Sequence, residues 1–227
     1  MIRDQKLQRV FLGVDIGKII DYTVLSIIEQ WQNYAYDMFK GRNKDGKPYY
    51  HLTETKRFPL DVPHNIQITA IEEAYKRIKD HYNQERQMGR SEINPYLIID
   101  LGNVGESHFD DYTATGLNVY GVKAHSGEKN RYEKRRWYVN TESLYNAVEI
   151  LLDHKRLIIA DEITDRKGLV QELARFTWKR TPTGNLTAEN LRDSDHDDRV
   201  DSIAVALWYA QYGLREITSF PKKWLGL

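Results

Sequence analysis

The 227-residue sequence contains no cysteine, which excludes a disulfide framework, a thiolate-ligated zinc site and a thiol nucleophile. It has no excess charge of either sign, with 33 Lys and Arg against 33 Asp and Glu. That balance argues against a general polyanion binder, although local patches escape the average. Long apolar runs are missing too. They extend over a few residues only, far short of the roughly 20 that cross a bilayer, and the N-terminal MIRDQKLQRV has no signal-peptide core. No internal repeat, low-complexity tract or Pro/Gly/Ser linker divides the chain. The expectation is a cytosolic-type protein without membrane contact, folded as one domain over 1–227 around a substantial core.

What is present reads first as strands. Val10 to Ile16 is a short apolar run rich in β-formers, the pattern of a strand buried on both faces. Asp21 to Ile28 follows closely enough to be its antiparallel partner. Trp31 to Phe39 and Tyr49 to Phe58 read as two more strands around a turn at Gly41 to Gly46. Helical spacing then takes over between Asn65 and Asn83, through Ile71, Tyr75, Ile78 and Tyr82, with Thr69-x-x-Glu72 as a capping box. Beyond Pro95 come a strand at Tyr96 to Asp100, a short helix from Gly105 to Tyr112, and a strand at Leu117 to Val122. A helix starting at Asn140 or Thr141 is followed by a short strand at Leu157 to Ala160, a polar hairpin or loop at Thr177 to Asp195, and a last helix from about His196 to Tyr212. A meander followed by alternating helices and strands predicts an α/β fold with a mixed central sheet flanked by helices.

The chemistry-bearing residues are carboxylates at element ends. Asp15 shares a strand face with Phe11 and with Gly13, whose missing side chain leaves room for a cation or a phosphate. Asp100 repeats the device: an apolar strand, a terminal Asp, then Gly102. Ligand sites favour the carboxyl ends of strands in such sheets. A third element, Asp193 to Asp201, carries five acids in nine residues directly before the strongly apolar last helix. Helix capping accounts for one or two of them. It does not account for Asp197 and Asp201, which helical spacing aligns with the apolar stripe of Val200, Ile203/Ala204, Leu207 and Trp208, and where an unpaired carboxylate is costly. A divalent cation removes that cost, and hard oxygen donors imply Mg²⁺ or Mn²⁺. Carboxylates from three distant elements suit phosphodiester chemistry with two ions.

Lys123, Lys129, Arg131, Lys134, Arg135 and Arg136 are opposed only by Glu128 and Glu133, with His125, Tyr132, Trp137 and Tyr138 interleaved. The run reads either as a solvated face or as a mobile, phosphate-tracking loop. Gly41 to Pro48 matches P-loop spacing except at its last position, where Pro48 replaces the required hydroxyl residue; it is read as a hairpin turn. The sequon Asn185-Leu186-Thr187 carries no meaning in a cytosolic-type chain.

Three patterns together resemble one family: Gly13-Val14-Asp15-Ile16-Gly17-x-x-x-Asp21-x-Thr23, Ile99-Asp100 followed by Gly102 and Gly105, and His196-Asp197-Asp198-x-x-Asp201. That family is the nuclease domain of the large terminase subunit of tailed double-stranded DNA bacteriophages, and the stretch from Asn130 to Leu152 resembles its basic loop and following helix. The resemblance spans the chain. It implies a ribonuclease H-like fold and metal-dependent, weakly sequence-specific cleavage of double-stranded DNA during genome packaging. It also implies Asp15, Asp100 and Asp198 as catalytic metal ligands, with Asp21 and Asp197 as supporting acids; which acid holds which ion, and whether His196 or Asp201 takes part, stay open. The implied partners are DNA and, in a full-length subunit, an ATPase motor domain, the portal and the small terminase subunit. No intact P-loop precedes Asp15, so the chain is expected to be an excised nuclease domain, monomeric, acting in the host cytoplasm. Alternatives are another ribonuclease H-like nuclease such as a Holliday junction resolvase or integrase, an actin-like or sugar-kinase-like phosphotransferase using Asp15-Ile16-Gly17 and Asp100-Leu101-Gly102, or a non-catalytic DNA-binding module.

Overall fold

The computed structural model describes residues 3–17, 21–37, 41–84, 92–102, 104–127, 129–180, 186–190 and 198–214. In chain order its elements are β1 (Arg3–Asp15), β2 (Val24–Asp37), β3 (Gly41–Arg57), α1 (His64–Gln84), β4 (Tyr96–Asp100), α2 (Gly105–Ala114), β5 (Val119–His125), β6 (Arg131–Glu133), β7 (Arg136–Asn140) and α3 (Thr141–Asp153). There follow β8 (Leu157–Ile159), α4 (Arg166–Arg175), β9 (Phe176–Arg180), β10 (Leu186–Asn190) and α5 (Asp198–Trp208), which continues as a π-helical turn at Tyr209–Gly213. Eight strands form one mixed sheet in the order β6-β7-β5-β4-β1-β2-β3-β8, and β9 pairs with β10. Among the described residues no helix is long and apolar enough to cross a membrane.

β1 sits in the middle because it is apolar on both faces. Phe11 faces one core, shared with Ile98, Val122, α3 and α5. Val10, Leu12 and Val14 face the other, shared with Leu97, Ile99 and the apolar stripe of α1. These side chains are fully buried, each worth roughly 1.5–3 kcal/mol relative to exposure. β1 pairs antiparallel with β2 and parallel with β4, and β4 pairs parallel with β5. The carboxyl ends of β1, β4 and β5 therefore share one edge of the molecule.

Several elements differ from the sequence expectation. The strands expected at Asp21–Ile28 and Trp31–Phe39 are one continuous β2, since Glu29-Gln30 contains no turn-forming residue and β1 is long enough to pair throughout. The turn expected at Gly41–Gly46 lies inside β3, where a register irregularity between Trp31 and Asn33 of the facing strand and the positive φ of Gly46 (75°) mark a bulge. A strand here also agrees with rejecting the P-loop. Thr69 lies within α1 rather than at its start; its hydroxyl donates to the Asn65 carbonyl at 3.0 Å, so there is no capping box. α4 was not anticipated. The basic run is not a loop: it spans the end of β5 and the β6–β7 hairpin.

Candidate metal centre

The β1–β4 register runs from Phe11↔Tyr96 to Val14↔Ile99. The next residue on each strand is Asp15 and Asp100, so neighbouring parallel strands end in two acids at the same level. Both belong to the face of Phe11 and Tyr96, whose rings stack at 5.4 Å. α5 covers that face. Its register over the sheet follows from three contacts: Tyr209 against Phe11, Ala206 and Ser202 against Gly13, and Ser202 Oγ to Ser26 Oγ at 2.7 Å. Following the helix backwards by one turn from Ser202 leads to Asp198, beyond Gly13 in the direction of Asp15. Asp198 is buried, and its Oδ2 accepts the Tyr22 N–H at 3.3 Å.

Gly13 has a different role from the one expected. A Cβ there would lie 1.9 Å from the Ser202 carbonyl oxygen, so the missing side chain admits the backbone of α5 and leaves no space for a ligand. This close approach lets the first turn of the helix descend onto the strand ends. The connection from Ile16 to Thr23 is tied by Gly17 N–H donating to Thr23 Oγ1 at 3.1 Å and by Phe58 N–H donating to the Thr23 carbonyl at 2.9 Å.

Burial sets the electrostatics. The Asp100 carboxyl is crowded by protein, and this desolvation pushes its pKa from 3.8 up to about 6, against the pull of the Gly102 N–H (2.8 Å) and of Lys123. A carboxylate in that setting favours a compensating cation. The cation nearest in sequence to Asp198 is engaged elsewhere: Arg199 is buried and binds Glu172 (2.9 Å) and Asp165 (3.0 Å) on and before α4, and Arg57 also reaches Glu172 at 2.5 Å. This network fixes the N-terminus of α5 against α4. Oxygen donors on rigid elements, with Asp198 buried and Asp15 and Asp100 half-buried, suit a hard divalent ion.

The remaining predicted residues divide. Asp21 lines a pocket of about 410 Å³ with Ile16, Gly17, Thr23, His64 and His108. Asp197 and His196 lie outside the described residues. Asp201, expected on the buried side, is the only residue of α5 that is not buried, and its Oδ1 accepts from Tyr145 Oη at 2.6 Å; the helix is enclosed almost all round, so spacing alone did not distinguish its faces. In the basic run, Lys123 pairs with Glu106, and Arg136 pairs with Asp110 (3.0 Å) while covering the Phe109 ring. Both are held against α2. Lys129, Arg131, Lys134 and Arg135 are exposed, on and beside the β6–β7 hairpin. Trp137, read as part of a nucleic-acid face, is in the core, 1% exposed. Sequence reasoning passed over His64, His108 and Asp111, which meet beside the pocket; the i,i+3 pair His108 and Asp111 was the only local signal.

No protein-family profile and no curated protein matches the chain. In structure it is similar to the large terminase nuclease from thermophilic phage G20c, with a TM-score of 0.52 at 21% identity, covering 90% of this chain and 82% of that one. It is likewise similar to the same nuclease with bound cobalt, at a TM-score of 0.50 and 18% identity over 88% and 80% of the two chains. The chain has the mixed α/β, ribonuclease H-like fold of these terminase nucleases.

Proposed function

We propose that this protein is a divalent-metal-dependent endonuclease that cleaves double-stranded DNA with little sequence preference, as the nuclease unit of a phage genome-packaging terminase. The observation that carries the reading is one of placement: Asp15 and Asp100 end adjacent parallel strands at the same level, and Asp198 starts the helix that covers that face of the sheet. The acids Asp15, Asp100 and Asp198 hold Mg²⁺ or Mn²⁺ in this reading, with Asp21 and Asp197 in support. Two such ions supply an activated water and stabilise the leaving oxygen in phosphodiester hydrolysis. The G20c nuclease, similar in fold, has been obtained with bound cobalt, which supports a metal-dependent assignment.

The chain's own residues would orient the ions. Tyr22 N–H and Gly102 N–H fix carboxylate oxygens of Asp198 and Asp100, and the Arg199 network fixes the helix that carries Asp198. Lys129, Arg131, Lys134 and Arg135 would contact phosphates, which confer affinity without reading sequence. The same proposal includes residues 1–227 acting as one monomeric nuclease domain in the host cytoplasm, with an ATPase motor domain, the portal and the small terminase subunit as partners in packaging.

Supercoiled plasmid is the test. Cleavage is expected with Mn²⁺ or Mg²⁺, is abolished by EDTA, and falls to background in Asp15→Ala and Asp198→Ala. Wild-type rates from both variants would remove these residues from the mechanism, and preferential cutting of branched over linear duplex would favour a resolvase.

A further inference from the structure

On the other face of the sheet, the start of α1 and the middle of α2 bring together a set of donors with no part in the carboxylate centre. His108 and Asp111 occupy i and i+3 of α2, with His108 Nδ1 3.2 Å from Asp111 Oδ2. His64 opens α1 directly after Pro63, and its Nε2 lies 3.7 Å from the same carboxylate oxygen. The two imidazole centroids are 3.7 Å apart. One donor atom from each of the three residues lies within 4.8 Å of the others.

The hydrogen bond between His108 and Asp111 accounts for that pair and leaves the position of His64 unexplained. His64 Nε2 is buried without a hydrogen-bond partner, and 3.7 Å to Asp111 is too long for one. Four-coordinate ions with bonds of about 2.0–2.1 Å separate their ligands by about 3.3 Å, close to the 3.2 and 3.7 Å measured around Asp111. Two imidazoles and a carboxylate are a borderline donor set, matched to zinc-like transition ions and poorly to Mg²⁺ or Ca²⁺.

We propose that His64, His108 and Asp111 form a second, independent metal site for a divalent transition ion of the Zn²⁺ type. The fourth position is filled by water from the 410 Å³ pocket that both histidines line, and whose wall includes Asp21. The ion ties the first turn of α1 to α2 and so fixes that wall. It is separate from the acids Asp15 and Asp100, which belong to the face of the sheet covered by α5.

Co²⁺ titration of the full chain, read by visible absorption, tests the site. A four-coordinate site containing nitrogen gives intense bands, whereas an octahedral all-oxygen site gives weak ones. Saturation near one equivalent is expected, with displacement by Zn²⁺ and none by excess Mg²⁺. His108→Gln and Asp111→Asn, both on the accessible side of α2, should lower the affinity by more than the about 10- to 100-fold that accompanies loss of an outer partner, with unchanged circular dichroism. An Asp15→Asn/Asp198→Asn double variant should keep the bands whether or not those acids serve a nuclease. Bands lost in that double variant and kept in His108→Gln would put the ion at the carboxylates and overturn the proposal, as would the absence of intense bands at millimolar Co²⁺.

Discussion

Asp100 shows at the scale of one residue how burial and chemistry are linked. Its carboxyl titrates near 6 in the fold against 3.8 for an exposed aspartate, and desolvation is the largest cause. Between about pH 4 and 6 the folded protein holds a proton that the unfolded chain has released, so stability must fall as pH rises through that window. In EDTA, the urea midpoint of wild type relative to Asp100→Asn should therefore decline from pH 4 to above 6, and the variant should be the more stable of the two at pH 7. Mn²⁺ should reverse the order at pH 7, because a bound cation favours the charged form. Parallel pH profiles for the two proteins would show that the acid is well solvated. Both strand-end acids were legible because an apolar run closing on Asp and then Gly is a local pattern. Asp198 stood out less sharply: helical spacing favoured Asp197 and Asp201, yet the helix is enclosed nearly all round, and it is Asp198 that accepts the Tyr22 amide.

At the scale of an element, the β6–β7 hairpin joins a backbone demand to a charge. Lys134 and Arg135 form its two-residue connection with φ of 47° and 66°, a left-handed pair for which Asn-Gly is the favoured sequence. Retaining two long cations there is unfavourable by roughly 1–2 kcal/mol per residue. Lys134→Asn/Arg135→Gly should thus raise the unfolding free energy by about 1 kcal/mol or more while weakening DNA binding. The slope of log K against log salt should become shallower by about 0.9 for each lost phosphate contact. Fluorescence anisotropy across a salt series reads the second effect, and an unchanged slope would return these side chains to ordinary solvation. The hairpin itself was not legible, since Lys-Arg carries none of the usual turn residues and β6 has only three residues. β2 was misread for a related reason: the pattern of Trp31 to Phe39 is that of a strand, and only pairing along the whole of β1 shows that it continues the preceding one. β4 needed no such partner to be read, and its bounds match the expectation.

For the whole molecule, the two cores on either side of β1 have different consequences. Leu12 and Gly13 are neighbours in sequence and face opposite ways. Leu12 is buried with Ile99 on the α1 side, while Gly13 admits the backbone of Ser202. Leu12→Ala should lower stability by roughly 2–5 kcal/mol through a cavity and leave the register of α5 alone. Gly13→Ala must displace the helix, because the new Cβ would fall 1.9 Å from a carbonyl oxygen, and overpacking of this kind commonly destabilises by about 1–3 kcal/mol or more. The two variants then separate under metal. At a Mn²⁺ concentration 100-fold above its Kd, binding to the folded state alone adds about 2.7 kcal/mol. Leu12→Ala should keep that increment in full, since Asp15, Asp100 and Asp198 are undisturbed. Gly13→Ala should lose most of it at the same Mn²⁺ concentration, because Asp198 moves with α5. Equal increments in the two variants, measured by chemical unfolding with and without Mn²⁺, would mean that the ion does not depend on the helix over the strand ends, and the three-acid centre would have to be abandoned.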